Sequence, residues 1–109
     1  MKTVKINFLG EEYELGFVKG TYMNGNIYIG VCTMEGELWS DFTTNLGYEL
    51  EEKQAFIDVN SPSAPEILKQ LKKKKLVKDL YESMSSGYVV YPLYSLSDNF
   101  INNWCEELE

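Results

Sequence analysis

The stretch Tyr13-Glu14-Leu15-Gly16-Phe17, followed by Asn24-Gly25-Asn26 and then Ile27-Tyr28-Ile29-Gly30-Val31, decides the fold class. On both sides of the Asn-Gly-Asn tripeptide, apolar residues recur at every second position, the period of a strand with one buried face. Asn and Gly tolerate the positive φ that tight hairpin turns require, so the tripeptide reads as the turn joining two antiparallel strands. Working outward, Val4, Ile6 and Phe8 alternate in the same way, and Gly10-Glu11-Glu12 separates them from Tyr13, giving a first hairpin. Downstream, Glu35-Gly36-Glu37 is a further turn, Leu38 to Leu46 reads as a fourth strand, and Phe56-Ile57-Asp58-Val59 as a short fifth. This pattern predicts an antiparallel meander.

The period then changes. Ser63-Ala64-Pro65-Glu66 has the layout of a capping box, and Ile67, Leu68 and Leu71 form the apolar stripe of the helix it opens. Lys75 would fall inside that stripe if the helix ran on, which places a break near Lys74. Leu76, Val77, Leu80, Tyr81 and Met84 restart a helical stripe that Ser85-Ser86-Gly87 ends. Tyr88 to Leu96 reads as a strand, and Phe100, Ile101, Trp104 and Leu108 as the apolar face of a C-terminal amphipathic helix capped by Ser95 or Ser97. The expected fold is α+β: an antiparallel meander sheet of five to six strands with two or three short helices, in a single domain over residues 1–109.

Composition narrows the function. The 109 residues leave room for one core. No apolar run reaches the roughly 20 residues of a membrane span, and the N-terminus runs straight into a strand pattern instead of a signal peptide. Two cysteines far apart, Cys32 and Cys105, suit a reducing cytosol better than a disulfide scaffold. The expectation is two packed, unbonded thiols. There is no histidine, which removes the commonest general base and metal ligand together with Ser-His and Cys-His nucleophile pairs. No phosphate-binding glycine fingerprint and no convergent carboxylate cluster is visible. We therefore expect no catalytic residue, no metal and no cofactor.

The net charge is −7, and every basic residue is lysine. Direct DNA binding needs a positive field, so the expected partner is a protein. Acidic surface competing for a basic channel is one reading; acidity that only keeps the chain soluble is the other. Glu49, Glu51, Glu52, Glu106, Glu107 and Glu109 are the candidate contacts. Residues 69–78 run against this trend with six lysines and no acid, read either as a solvated helix face or as a phosphate-contacting patch. Fifteen aromatics are generous for this length. Tyr88, Val90 and Pro92 alternate with Val89, Tyr91 and Leu93, so the strand is apolar on both sides. Trp39, Tyr28 and Tyr91 are candidates for lining a second sheet face, open to a partner or to a second copy in a homodimer. The competing reading is a twisted sheet wrapped around the terminal helix.

Several segments also resemble a known family. They are Thr21-Tyr22-Met23-Asn24-Gly25-Asn26, Gly36-Glu37-Leu38 leading to Thr43-Thr44-Asn45-Leu46, Phe56-Ile57-Asp58-Val59-Asn60, and Ser86-Gly87-Tyr88-Val89-Val90-Tyr91-Pro92-Leu93-Tyr94. From the first strand to Leu96 the chain resembles small bacterial proteins of phages and other mobile elements, known only as a domain of unknown function. The resemblance brings no catalytic residues. It implies a setting in which inhibitors of host defence, anti-CRISPR proteins among them, are common. The expected function is thus a non-enzymatic inhibitor or adaptor acting on a nuclease or other defence complex. A self-associating interaction protein is the alternative.

Overall fold

The polar–apolar alternation around the Asn-Gly-Asn turn becomes the centre of one of two sheets in a computed structural model, which describes residues 1–108. The first sheet contains β1 (Val4–Phe8), β2 (Glu11–Thr21), β3 (Ile27–Thr33) and β4 (Leu38–Asp41) in that order, all antiparallel. The second contains β5 (Thr43–Thr44), β6 (Gln54–Ile57), β8 (Val89–Leu96) and β7 (Val77–Ser86), also antiparallel. One helix, α1 (Ala64–Lys73), links β6 to β7. The single meander expected from the sequence is therefore two sheets, and the strands outnumber the five or six anticipated.

The expected fourth strand, Leu38 to Leu46, divides at Phe42. Its N–H donates to the Ile29 carbonyl of β3, while its own carbonyl accepts from Asp58 N–H just past β6, both at 2.9 Å. One residue thus hydrogen-bonds to both sheets. Its ring is fully buried, edge-on to Phe17 at 6.2 Å, and Phe17 in turn meets Phe100 at 5.1 Å. These rings join Leu15, Ile29, Ile57, Ile67, Leu71 and Leu96 in one core between the sheets and α1. Burial of this kind supplies the main drive to fold.

Helix α1 buries Ile67, Leu68 and Leu71, the expected stripe, together with Ala64. Ser63 sits at its N-cap position, but its hydroxyl makes no capping bond and instead accepts from Trp39 Nε1 at 2.9 Å. The helix stops where Lys75 would have entered the stripe. Leu76 N–H reaches back to Leu71 O and Lys75 N–H to Lys72 O, both at 3.0 Å, with Lys75 at φ 58°. This is the paired-bond C-terminal motif that usually places glycine at the left-handed position.

Two expected helices are absent. Of the stripe Leu76, Val77, Leu80, Tyr81 and Met84, all but Leu76, which precedes the strand, belong to β7 and not to a second helix. Register with β8 runs Val77↔Leu96 to Asp79↔Tyr94, then resumes at Glu82↔Leu93 after two extra residues. A strand interrupted by a two-residue bulge places apolar side chains at intervals that mimic a helical period. Tyr81, at φ 58°, takes the strain of the bulge, and its N–H is held by Asp79 Oδ1 at 2.7 Å. The Ser-rich half after Glu82 favours the ladder over a helix, and Gly87, at φ 62°, turns the hairpin instead of ending a helix.

The expected C-terminal amphipathic helix is likewise corrected. Only Asp98–Trp104 are helical, the last five residues as a single π-helical turn, with Phe100 N–H bonded to Ser97 Oγ at 3.0 Å. Cys105–Glu107 then extend as β9, parallel to Phe17–Lys19 of β2. β9 occupies the edge of β2 that β1 leaves open beyond Leu15. Helix here would have placed Glu106 and Glu107 against the negative end of its dipole, whereas β9 gains ladder bonds. No helix among the described residues is long and apolar enough to cross a membrane.

Candidate functional site

Three of the acidic candidates come together in one groove of about 550 Å³. Its walls are the end of the β2–β3 hairpin, the segment from Leu50 to Gln54, and the chain around Asp98 to Asn102 with Glu107. Glu51, Glu52, Asp98 and Glu107 are its four carboxylates. Two lysines lie among them. Lys19 Nζ donates to the Ile101 carbonyl at 2.9 Å and stands 3.6 Å from Glu107; Lys53 Nζ is 2.8 Å from Asp98. The bond to Asp98 raises the Lys53 pKa above its ordinary value, so that ammonium stays charged. The groove keeps a carboxylate surplus, with Glu51 and Glu52 exposed and outside any ion pair among the described residues.

The position of Glu51 and Glu52 follows from an asparagine cluster. Asn24 and Asn45 exchange side-chain amide bonds at 3.1 and 3.2 Å. Asn26 donates from Nδ2 to the Tyr48 carbonyl at 2.6 Å and accepts Leu50 N–H at Oδ1 at 3.0 Å. The Asn-Gly-Asn turn is thus bonded to the 45–50 loop, which leads into the acidic wall. Two of the segments that carried the resemblance, around Asn24–Asn26 and Thr43–Asn45, meet here. Tyr22 Oη adds bonds to the Thr43 carbonyl and Oγ1 at 3.2 and 3.1 Å. In this chain those residues hold structure. The spacing between them gave no hint of contact, because side-chain amide pairing leaves no periodic mark.

The other candidates are dispersed. Glu49 is exposed on the loop outside the groove, and Glu106 borders a second depression with Val18, Gly36 and Leu108 that shares Glu107 with the groove. Glu109 lies outside the described residues. Trp39 is half-buried in β4, 4.8 Å from the Tyr13 ring and 6.2 Å from Phe8. Tyr28, in β3, donates to Asp41 Oδ1 at 2.6 Å and stands edge-on to Tyr22 at 5.5 Å. Burial, then the Asp41 carboxylate, raises its phenol pKa. Tyr91 is in the other sheet, opposite Met84. No common face of Trp39, Tyr28 and Tyr91 exists.

One exposed feature escaped the sequence reading. β6 pairs with β8 only from Leu93 to Ser95, so the hairpin from Glu82 to Pro92 projects as a two-stranded ribbon. Tyr88 and Val90 are exposed on it, as is Tyr81 at its bulge. Apolar residues on both sides of β8 were legible; that most of this strand lacks a second neighbour was not.

Both thiols are free and buried. Burial pushes the Cys105 thiol up to about 12 and raises Cys32 as well, the opposite of what a nucleophile needs. Among the described residues no group of three or more His, Cys, Asp or Glu side chains is placed to hold a metal ion. No curated protein and no solved structure matches the chain. A family model matches residues 18–108, beginning inside β2 and running past Leu96 through β9. The chain therefore belongs to the family described as Domain of unknown function (DUF4313).

Proposed function

We propose that this protein is a non-enzymatic binding protein whose acidic groove takes a cationic segment of a protein partner. The observation that carries the reading is the convergence of Glu51, Glu52, Asp98 and Glu107 on one groove, from segments distant in sequence. A lysine or arginine side chain entering between these carboxylates gains charge complementarity, fast association and specificity against acidic partners. In its sharpest form the partner is a nucleic-acid-binding complex of a bacterial defence system, and the protein an anti-defence inhibitor of the anti-CRISPR type, carried by a phage or other mobile element and acting in the host cytoplasm. The carboxylates would then occupy a basic channel otherwise filled by phosphates. The test is affinity capture from a bacterial lysate with wild type and with Glu51→Lys/Glu52→Lys. These exposed loop residues can be reversed without touching the core. Retention of a basic nucleic-acid-binding protein by wild type alone supports the reading; equal retention by both refutes it.

Self-association is a second reading, favoured by the ribbon. An isolated two-stranded hairpin is marginal in water, and exposed Tyr88 and Val90 on open strands invite pairing with another chain. Sedimentation equilibrium distinguishes the readings: a dimer that Val90→Lys dissociates favours the ribbon, whereas a monomer unchanged by that substitution leaves the groove.

A further inference from the structure

The six lysines between residues 69 and 78 do not form one solvated helix face. Lys69, Lys72 and Lys73 belong to α1, Lys74 and Lys75 to the turn that ends it, and Lys78 to β7. Three of them, Lys72, Lys75 and Lys78, line a pocket of about 440 Å³ together with Leu76, Val77, Ser95 and Ser97, Ser95 lying directly across the ladder from Lys78. None of the three is within ion-pair distance of a carboxylate among the described residues, in a chain with 17 acids. Of the two carboxylates on the same strand, Asp79 is engaged by Tyr81 N–H and the Tyr94 hydroxyl, and Glu82 is exposed beyond the bulge. Lys72 Nζ lies 5.9 Å from the centre of the Tyr94 ring.

Lys75 adds an independent observation. It holds the left-handed position of the α1 terminus, where glycine is the least strained residue. Helix-dipole complementarity accounts for Lys72 and Lys73 in the last turn. It does not account for a strained lysine outside the helix, or for Lys78 on a strand. Like charges gathered at a pocket raise the free energy of the empty protein, a cost that a bound anion removes.

We propose that the Lys72–Lys75–Lys78 pocket binds a small oligophosphate of the diphosphate class. Three ammonium groups match the charge of a diphosphate. The Ser95 hydroxyl is free to donate, and Ser97 Oγ, which accepts Phe100 N–H, still has its proton to give. These residues and this ligand are separate from the acidic groove.

Calorimetric titration with inorganic pyrophosphate, against sodium chloride at matched ionic strength, tests the site. Saturable binding is expected, weakened about tenfold by Lys72→Gln or Lys78→Gln, the loss of one charge-assisted contact. Lys75→Gly is expected to melt at a higher temperature than wild type without ligand and yet bind pyrophosphate more weakly. Lys69→Gln and Lys73→Gln, on the same stretch but outside the pocket, are expected to bind as wild type does. Adenosine diphosphate in a parallel titration separates the sources: equal affinity assigns an organic ester, pyrophosphate alone an inorganic ligand. The proposal is overturned if pyrophosphate gives no more heat than chloride. It is equally overturned if Lys69→Gln and Lys73→Gln weaken binding as much as the pocket variants, or if Lys75→Gly binds pyrophosphate as tightly as wild type.

Discussion

Asn26→Ala should loosen the loop that leads into the acidic wall while leaving the hairpin turn itself formed. The turn bonds use backbone atoms, with Tyr22 N–H donating to Asn26 O at 2.8 Å, and alanine preserves them. What disappears is the pair of side-chain bonds to Tyr48 O and Leu50 N–H, plus a longer one of 3.3 Å to Asn45 Oδ1. A net contribution of about 0.5–1.5 kcal/mol per bond applies. The freed groups lie near the surface and regain water, so the total should fall at about 1.5–3 kcal/mol. For a domain of this size that lowers the melting temperature by about 6–15 °C. Thermal unfolding gives the total, and amide hydrogen exchange locates it: Leu50 should exchange faster while Ile29 stays protected. Asn26→Asp sharpens the test. It keeps the acceptor for Leu50 N–H but turns a carboxylate oxygen toward the Tyr48 carbonyl, which raises the pKa of the new acid in the folded state. Its stability deficit should therefore be present at pH 7 and shrink as the pH falls toward about 4, where the protonated acid can donate again. An unchanged melting temperature with an unchanged Leu50 amide would refute the assignment of this asparagine as the tie between turn and loop.

Three further outcomes follow from the packing. Phe42→Ala, at the residue bonded to both sheets, should cost about 3–5 kcal/mol, and both sheets should still melt in a single transition by circular dichroism and tyrosine fluorescence. Trp104→Ala should cost only about 1–3 kcal/mol in denaturant titration, because the ring is half-buried on a π-helical turn, with the ammonium groups of Lys2 and Lys74 at 5.5 and 5.8 Å, and is not the anchor of a helix. Cys105, with its thiol pushed up from 9.0 to about 12, should resist iodoacetamide at pH 8 in the native protein and react in denaturant. The same shift, a neutral form favoured by folding, makes its contribution to stability full below about pH 9 and lost as the pH climbs toward 12.

The first sheet was readable because one buried face imposes a period of two and because Asn-Gly-Asn and Glu-Gly-Glu specify tight turns. The helix from Ala64 was readable for the same kind of reason, and its end followed from a lysine that could not enter the apolar stripe. Tertiary pairing decided the rest. A bulge of two residues at Leu80–Tyr81 made a strand look like a helix, and the open edge of β2 drew Cys105–Glu107 out of one. Neither the bulge nor the vacancy is encoded in local periodicity. The acidic groove was half legible. Glu51, Glu52 and Glu107 were candidates as charges, but their convergence depends on the asparagine cluster and on β9, and Asp98 and the two lysines entered only with the structure. Reversing Glu107 now carries a meaning that a frayed helix end would not have given it, since it removes the carboxylate beside Lys19.

The central claim, that the groove takes a cationic segment of protein, is tested most directly by titrating the 15N-labelled chain with a short lysine- and arginine-rich peptide. The account predicts saturable amide shifts confined to residues 50–54, 98–102 and Glu107, with an affinity that falls as salt rises, since charges at the rim are screened over about 8 Å at physiological ionic strength. Glu51→Lys/Glu52→Lys should abolish them. Shifts centred on the ribbon at residues 82–92, or binding that neither salt nor the charge reversal weakens, would contradict it.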